Sequence, residues 1–129
     1  MKNKYSIYVV ETNEKIKECL ELYISSLTWL TFVGSSKCIE NSIDVILELK
    51  PEILTINDIL PMVSNAENLN KINKLNEYCK IYMVSGEMDN KKIFYSYKLG
   101  IRKYIKKPCD FISMFNIIQE DIIQNNLYV

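Results

Sequence analysis

The stretch Glu52-Ile53-Leu54-Thr55-Ile56-Asn57-Asp58 decides the fold. Residues 53–56 form a short run with little apolar–polar alternation, the pattern of a central strand covered on both faces. Lys50-Pro51 stands just before it and stops a preceding helix, because the residue ahead of a proline is pushed out of helical backbone. At its other end the run closes on two polar residues, Asn57 and Asp58, where the chain should leave the strand. A strand buried on both faces needs strands along both its edges and helices above and below, so the remaining sequence is read for them.

The pattern alternates in both directions. Residues 5–10 form a β-rich run, and 13–27 carry Ile16, Leu20, Tyr23, Ile24 and Leu27 at helical spacing. Residues 30–35 read as a strand ending at Gly34-Ser35, and 42–49 as a helix with Ile43, Ile46 and Leu47 inward. Beyond the central run, 67–78 is a polar helix with Leu69, Ile72 and Leu75 among asparagines and lysines. Residues 81–84 form another buried strand, and 90–99 a helix closed by Gly100, a suitable residue just past a helix end. Residues 103–105 are a short strand. Asp110 caps a last helix with Phe111, Met114, Phe115, Ile118 and Ile122 on one face. Five strands alternating with five helices predict βαβ units, a parallel sheet and helices on both faces. Right-handed crossovers make this a doubly wound sheet whose ligands sit at the carboxyl ends of the strands.

Composition excludes several functions. The chain of 129 residues fits one domain, 1–129, with no output domain within it. Lysine plus arginine equals 16 and so does aspartate plus glutamate, so no basic excess draws it to nucleic acid. There is no histidine, which removes histidine acid–base catalysis, the Ser-His-Asp triad and most zinc sites. Cys19, Cys38, Cys79 and Cys109 are widely spaced and read as reduced thiols of a cytoplasmic protein. The start, Met1-Lys2-Asn3-Lys4 and then an apolar run broken by Ser6, is not read as a secretory leader, and no stretch has the length of a membrane span.

At the strand ends the sequence places Glu11 and Thr12, then Asn57 and Asp58, then Ser85, then Lys107 before Pro108. With their flanks, Tyr8-Val9-Val10-Glu11-Thr12-Asn13, Leu49-Lys50-Pro51 through Pro61-Met62, Ile81 through Gly86 and Gly100 through Pro108, these residues resemble the receiver domain of bacterial response regulators over almost the whole chain. The resemblance implies a flavodoxin-like sheet in the order 2-1-3-4-5. It implies that Glu11 and Thr12 stand where receivers carry two Mg²⁺-holding acids, and Asn57 where they carry the phosphate-accepting aspartate. Ser85 matches the hydroxyl switch residue, Lys107 the lysine before the proline and Tyr104 the aromatic rotamer switch. Two acids are thus replaced. Thr12 changing together with Asn57 fits natural divergence better than one engineered replacement.

A carboxylate can attack as a nucleophile and form an acyl phosphate, whereas an amide oxygen is far poorer. Mg²⁺ is usually held through one or two carboxylates plus phosphate oxygens. Glu11 is then the one weak metal candidate, and no cofactor is expected. Lys107 is expected near Glu11 and Asn57 as an ion-pair partner, and Tyr104 is expected to pack. The chain is therefore expected to be a phosphorylation-independent regulatory and protein-interaction module, not an enzyme, with transcription control through an output domain as the usual family role. One alternative is a receiver phosphorylated on Asp58 with Mg²⁺, although neighbouring strand residues point to opposite sides. Another is a flavodoxin-like small-molecule carrier, disfavoured because Glu11-Thr12-Asn13-Glu14-Lys15 has no glycine and carries two carboxylates. The resemblance also implies a protein partner or homodimer through the fourth helix, fifth strand and fifth helix. That face would carry Lys91, Lys92, Tyr95, Lys98, Arg102, Lys103 and Lys106 against Glu120 and Asp121, a mixture suited to two-fold pairing.

Overall fold

A computed structural model describes residues 4–57, 66–86 and 100–125, with side chains in the second segment from residue 70 onward. The expected helix over 90–99, Asp58 and Pro61 lie outside the described residues. The elements are β1 (Tyr5–Glu11), α1 (Glu14–Ser25), β2 (Leu30–Ser36), α2 (Ile43–Leu49), β3 (Ile53–Asn57), α3 (Ala66–Leu75), β4 (Lys80–Ser85), β5 (Lys103–Lys106) and α4 (Phe111–Gln124), the last being the fifth helix expected from the sequence.

The five strands form one sheet in the order β2-β1-β3-β4-β5. Every neighbouring pair is parallel. β3 sits at the centre, and all five of its residues are buried. The two-residue period of the strands divides the apolar side chains between two faces. Tyr8, Val10, Leu54, Ile56, Ile81 and Met83 meet Ile43 and Ile46 of α2 and Ile72 and Leu75 of α3 on one side. Ile7, Val9, Ile53, Tyr82, Val84 and Ile105 meet Leu20 and Ile24 of α1 and Met114, Phe115, Ile118 and Ile122 of α4 on the other. Each large side chain buried in this way contributes about 1.5–3 kcal/mol relative to exposure.

The helix ends follow their caps. Asn13 accepts the Ile16 N–H at 3.0 Å and starts α1. Asp110 accepts the Ser113 N–H at 2.7 Å and starts α4, as its position predicts. α1 stops two residues short of the expected end: the Ser26 hydroxyl donates to the Tyr23 carbonyl at 2.6 Å and closes the last turn. β1, β3, β4 and β5 each run one residue further than the apolar pattern, to Glu11, Asn57, Ser85 and Lys106. Backbone pairing continues past the point where side chains turn polar, so the sheet itself holds the residues at its carboxyl edge.

Gly100 has φ +89°, a left-handed conformation that side chains rarely adopt, and a Cβ there would collide with the Asn76 amide. Gly100→Ala is expected to cost about 1–3 kcal/mol, read as a lower urea midpoint; an unchanged midpoint would show that this turn is not constrained. All four cysteines are free, and burial pushes the Cys79 thiol up to about 12 while Cys19 is exposed. Alkylation of the native protein with iodoacetamide should therefore modify Cys19 and spare Cys79 until denaturant is added, as peptide mass mapping would show.

Candidate functional site

The strand order places β1 and β3 side by side, with β2 on one flank and β4 on the other. The chain winds from β1 to opposite sides of the sheet, so the switch point, where doubly wound sheets bind ligands, lies above the β1 and β3 ends. Glu11 and Asn57 are direct partners in that ladder. Parallel neighbours stand about 4.8 Å apart, and partners in register share a face. Both side chains are almost fully enclosed, Glu11 at 2% and Asn57 at 1% exposure. The Asn13 N–H donates to Glu11 Oε2 at 2.9 Å and fixes the carboxylate. Among the described residues Glu11 Oε1, Asn57 Oδ1 and, two residues earlier on β3, Thr55 Oγ1 are buried without a hydrogen-bond partner. An unsatisfied buried acceptor costs about 1–3 kcal/mol, so two of them on paired strand ends mark this edge chemically.

The other expected residues divide. Ser85 is buried at the end of β4, and its carbonyl accepts the Lys107 N–H at 2.9 Å. The peptide from Lys107 to Pro108 is cis. Thr12 is exposed and donates to the Lys37 carbonyl at 3.3 Å. Tyr104 is half-buried and packs against the core beside α2 and α3. Among the described residues no ion pair joins Lys107 to Glu11. Sheet order supplies the reason: Lys107 follows β5, three strand spacings of about 4.8 Å from β1, near the limit of two extended side chains. No three of His, Cys, Asp or Glu come together among the described residues, Thr12 is occupied elsewhere and Asn57 brings no charge.

On the proposed pairing face, Lys103, Lys106 and Glu120 are exposed, whereas Lys91, Lys92, Tyr95 and Lys98 lie outside the described residues. Arg102 and Asp121 are engaged within the chain, which corrects their assignment to a self-pairing surface. Asp121 is buried at 3% exposure. The Arg102 guanidinium reaches it through Nη2 to Oδ1 at 3.0 Å and Nε to Oδ2 at 3.1 Å, and the Tyr82 hydroxyl donates to Oδ2 at 2.7 Å. Burial pushes the Asp121 carboxyl up, but the hydrogen bonds from Arg102 and Tyr82, with the Arg102 charge, outweigh it and hold the group below its ordinary value. The hydrogen bond to Asp121 correspondingly raises Arg102. The sequence carried a signal for this cluster: Asp121 interrupts the apolar face between Ile118 and Ile122, and Tyr82 lies inside a buried strand, where its hydroxyl needs a partner.

No protein-family model matches the chain. Among solved structures it is similar to the signal receiver domain of a modulated diguanylate cyclase from Desulfovibrio desulfuricans G20, with 16% identity, TM-score 0.76 and coverage of 98% of this chain and 99% of that one. It is similar to the isolated REC domain of RcsB from Salmonella enterica serovar Typhimurium, a structure obtained with phosphomimetic BeF₃⁻, with 11% identity, TM-score 0.74 and coverage of 95% and 90%. A CheY-like response regulator from Mesorhizobium loti has 10% identity, TM-score 0.73 and coverage of 92% and 98%. The fold is therefore the flavodoxin-like fold of response-regulator receiver domains.

The Tyr82–Asp121–Arg102 cluster gives a pH-dependent expectation. A carboxyl held below its unfolded value of about 3.9 contributes stability above that value and loses it as pH falls through the folded-state value. Asp121→Asn should lower stability by about 1–3 kcal/mol near neutrality, because the neutral amide loses the charge-assisted bonds from Arg102 and Tyr82. In urea titrations the gap between parent and variant should narrow below about pH 4. A gap independent of pH would show that the carboxylate charge is not what holds the cluster.

Proposed function

We propose that this chain is a receiver-fold regulatory module that works without aspartyl phosphorylation and binds a protein partner or a second copy of itself. One observation carries the proposal: the last residue of the central strand, facing the β1 end, is an asparagine. The receiver resemblance puts the phosphate-accepting carboxylate at that position. Its amide oxygen lacks the negative charge that makes a carboxylate a nucleophile. The loss of charge is compounded by Thr12, whose hydroxyl is turned to Lys37. Metal binding by a donor set with Glu11 as its acid is correspondingly weak. Signal would then enter through occupancy of a surface and not through a transferred phosphoryl group, and the module would not itself be an enzyme. Among the described residues no helix is long and apolar enough to cross a membrane. The exposed Lys103, Lys106 and Glu120 are among the described charges available to a partner on the β5–α4 side.

Incubation with acetyl phosphate and Mg²⁺, followed by intact-mass measurement, tests the reading. The parent protein should gain no phosphoryl group. Gain by Asn57→Asp would add that the rest of the pocket can still support transfer. Phosphorylation of the parent would overturn the proposal, and peptide mapping would then decide whether Asp58 is the acceptor.

A further inference from the structure

The sheet ends in two edge strands, β2 and β5, and the sequence treats them differently. An edge strand invites pairing with another chain, and natural proteins guard it with charge, above all lysine. β5 is guarded: Lys103 and Lys106 are exposed on a strand of four residues. β2, Leu30-Thr31-Phe32-Val33-Gly34-Ser35-Ser36, carries no charge and no proline. Among the described residues its backbone pairs with β1 alone. The ladder with β1 skips Val33, a bulge that bends the edge without charging it. A second observation lies beside the same edge. Val45 and Leu49 of α2 are each 47% exposed, one turn apart on one side of the helix. Leu49 reaches the edge strand, its Cδ1 standing 3.7 Å from where a Cβ on Gly34 would be. Uncharged backbone and exposed apolar side chains thus form one flank.

A second copy of the chain fits this flank better than a foreign strand. Two identical strands paired antiparallel are related by a two-fold axis perpendicular to the sheet, which keeps each face of the sheet on its own side. α2 of one copy then stands beside α2 of the other, and Val45 and Leu49 of both are covered. A lone extended peptide would satisfy the β2 backbone and leave those side chains bare. Self-pairing through β5 would instead set lysines against lysines, which is destabilising. Pairing through β2 also closes: once two β2 edges are joined, the lysine-bearing β5 strands stand at both ends. We propose that two copies of this chain pair through β2 into a continuous sheet of five strands from each copy, with Val45 and Leu49 of the two α2 helices meeting across the seam. The bulge at Val33 shortens the run that can pair, so the pair is dissociable. The assignment rests on the reading of the chain as a module that signals through an occupied surface, yet it fails separately, because phosphoryl gain is read by mass and pairing by association state.

The test is sedimentation equilibrium of the intact chain from about 1 µM to about 1 mM, the range in which modest interfaces dissociate. The parent should pass from monomer to dimer and stop there. Thr31 is exposed, and Thr31→Lys gives β2 the guard that β5 carries. It should weaken association by about tenfold or more, while Lys103→Thr should leave it unchanged. A parent that stays monomeric throughout, or that grows beyond a dimer, overturns the proposal. So does a dimer that survives Thr31→Lys, or one lost in Lys103→Thr, which would put the interface on the β5 side. Should Thr31→Lys fail to fold, amide hydrogen exchange of the parent decides the question instead. Amides within residues 30–36 should exchange more slowly at the concentration where the dimer dominates than where the monomer does. Equal exchange of those amides at both concentrations overturns the proposal.

Discussion

The structure depends on β3 being paired along both edges and covered on both faces. Ile53, Leu54, Thr55, Ile56 and Asn57 are all buried, between β1 and β4 and between two helix layers. A strand without a solvent face has no position where a polar residue can be placed without cost. Its final residue must therefore be satisfied by whatever meets it at the carboxyl edge. Burial of an unpaired charge there costs far more than burial of an amide. With no ion pair to Glu11 among the described residues, an asparagine is the residue this environment tolerates. A carboxylate at 57 would stand in register with Glu11 and repel it. An amide at 57 thus spares the centre of the sheet a second buried charge.

The two buried acids show opposite solutions to one problem. Asp121 has two bonds from Arg102, one from Tyr82 and one from the Asn125 amide, so both its oxygens are engaged. Such a carboxylate ties the start of β5 to α4 and β4, and has no capacity left for a ligand. Glu11 has one donor on one oxygen and none on the other. The difference separates an acid whose oxygens are both engaged from one with an oxygen left open among the described residues. It also places the two on different elements: the satisfied cluster on the α4 side of the sheet, the unsatisfied pair at the end of its central ladder.

Much of the fold was legible because the periods are clean. The unbroken run at 53–56 marked the centre, and the strands around it alternate between two helix layers as their sequence period requires. Boundaries were less legible, since Glu11, Asn57, Ser85 and Lys106 join the ladder through backbone groups whatever their side chains. At the site, strand-end placement put Glu11 and Asn57 on one edge, where the ladder pairs them. It did not foresee that Thr12 would turn to Lys37, a contact across the chain between residues 25 apart. Nor did it foresee the Lys107 outcome, because position at a strand end does not weigh how many strands lie between two residues. Arg102 and Asp121 were read as surface charges because spacing alone places a residue on a helix face without showing what is buried against it.

The edge geometry is held from below and not by its own chemistry. Glu11 and Asn57 are fixed by ladder pairing and by the apolar layers under β1 and β3, so replacing either polar group alters charge without dismantling the frame. This is why the strand ends keep their positions whatever polar side chains they carry. The core specifies where the strand ends stand, and the residues on those ends determine only what can bind between them. A pocket whose position is guaranteed by packing is free to change its ligand by substitution of one or two side chains.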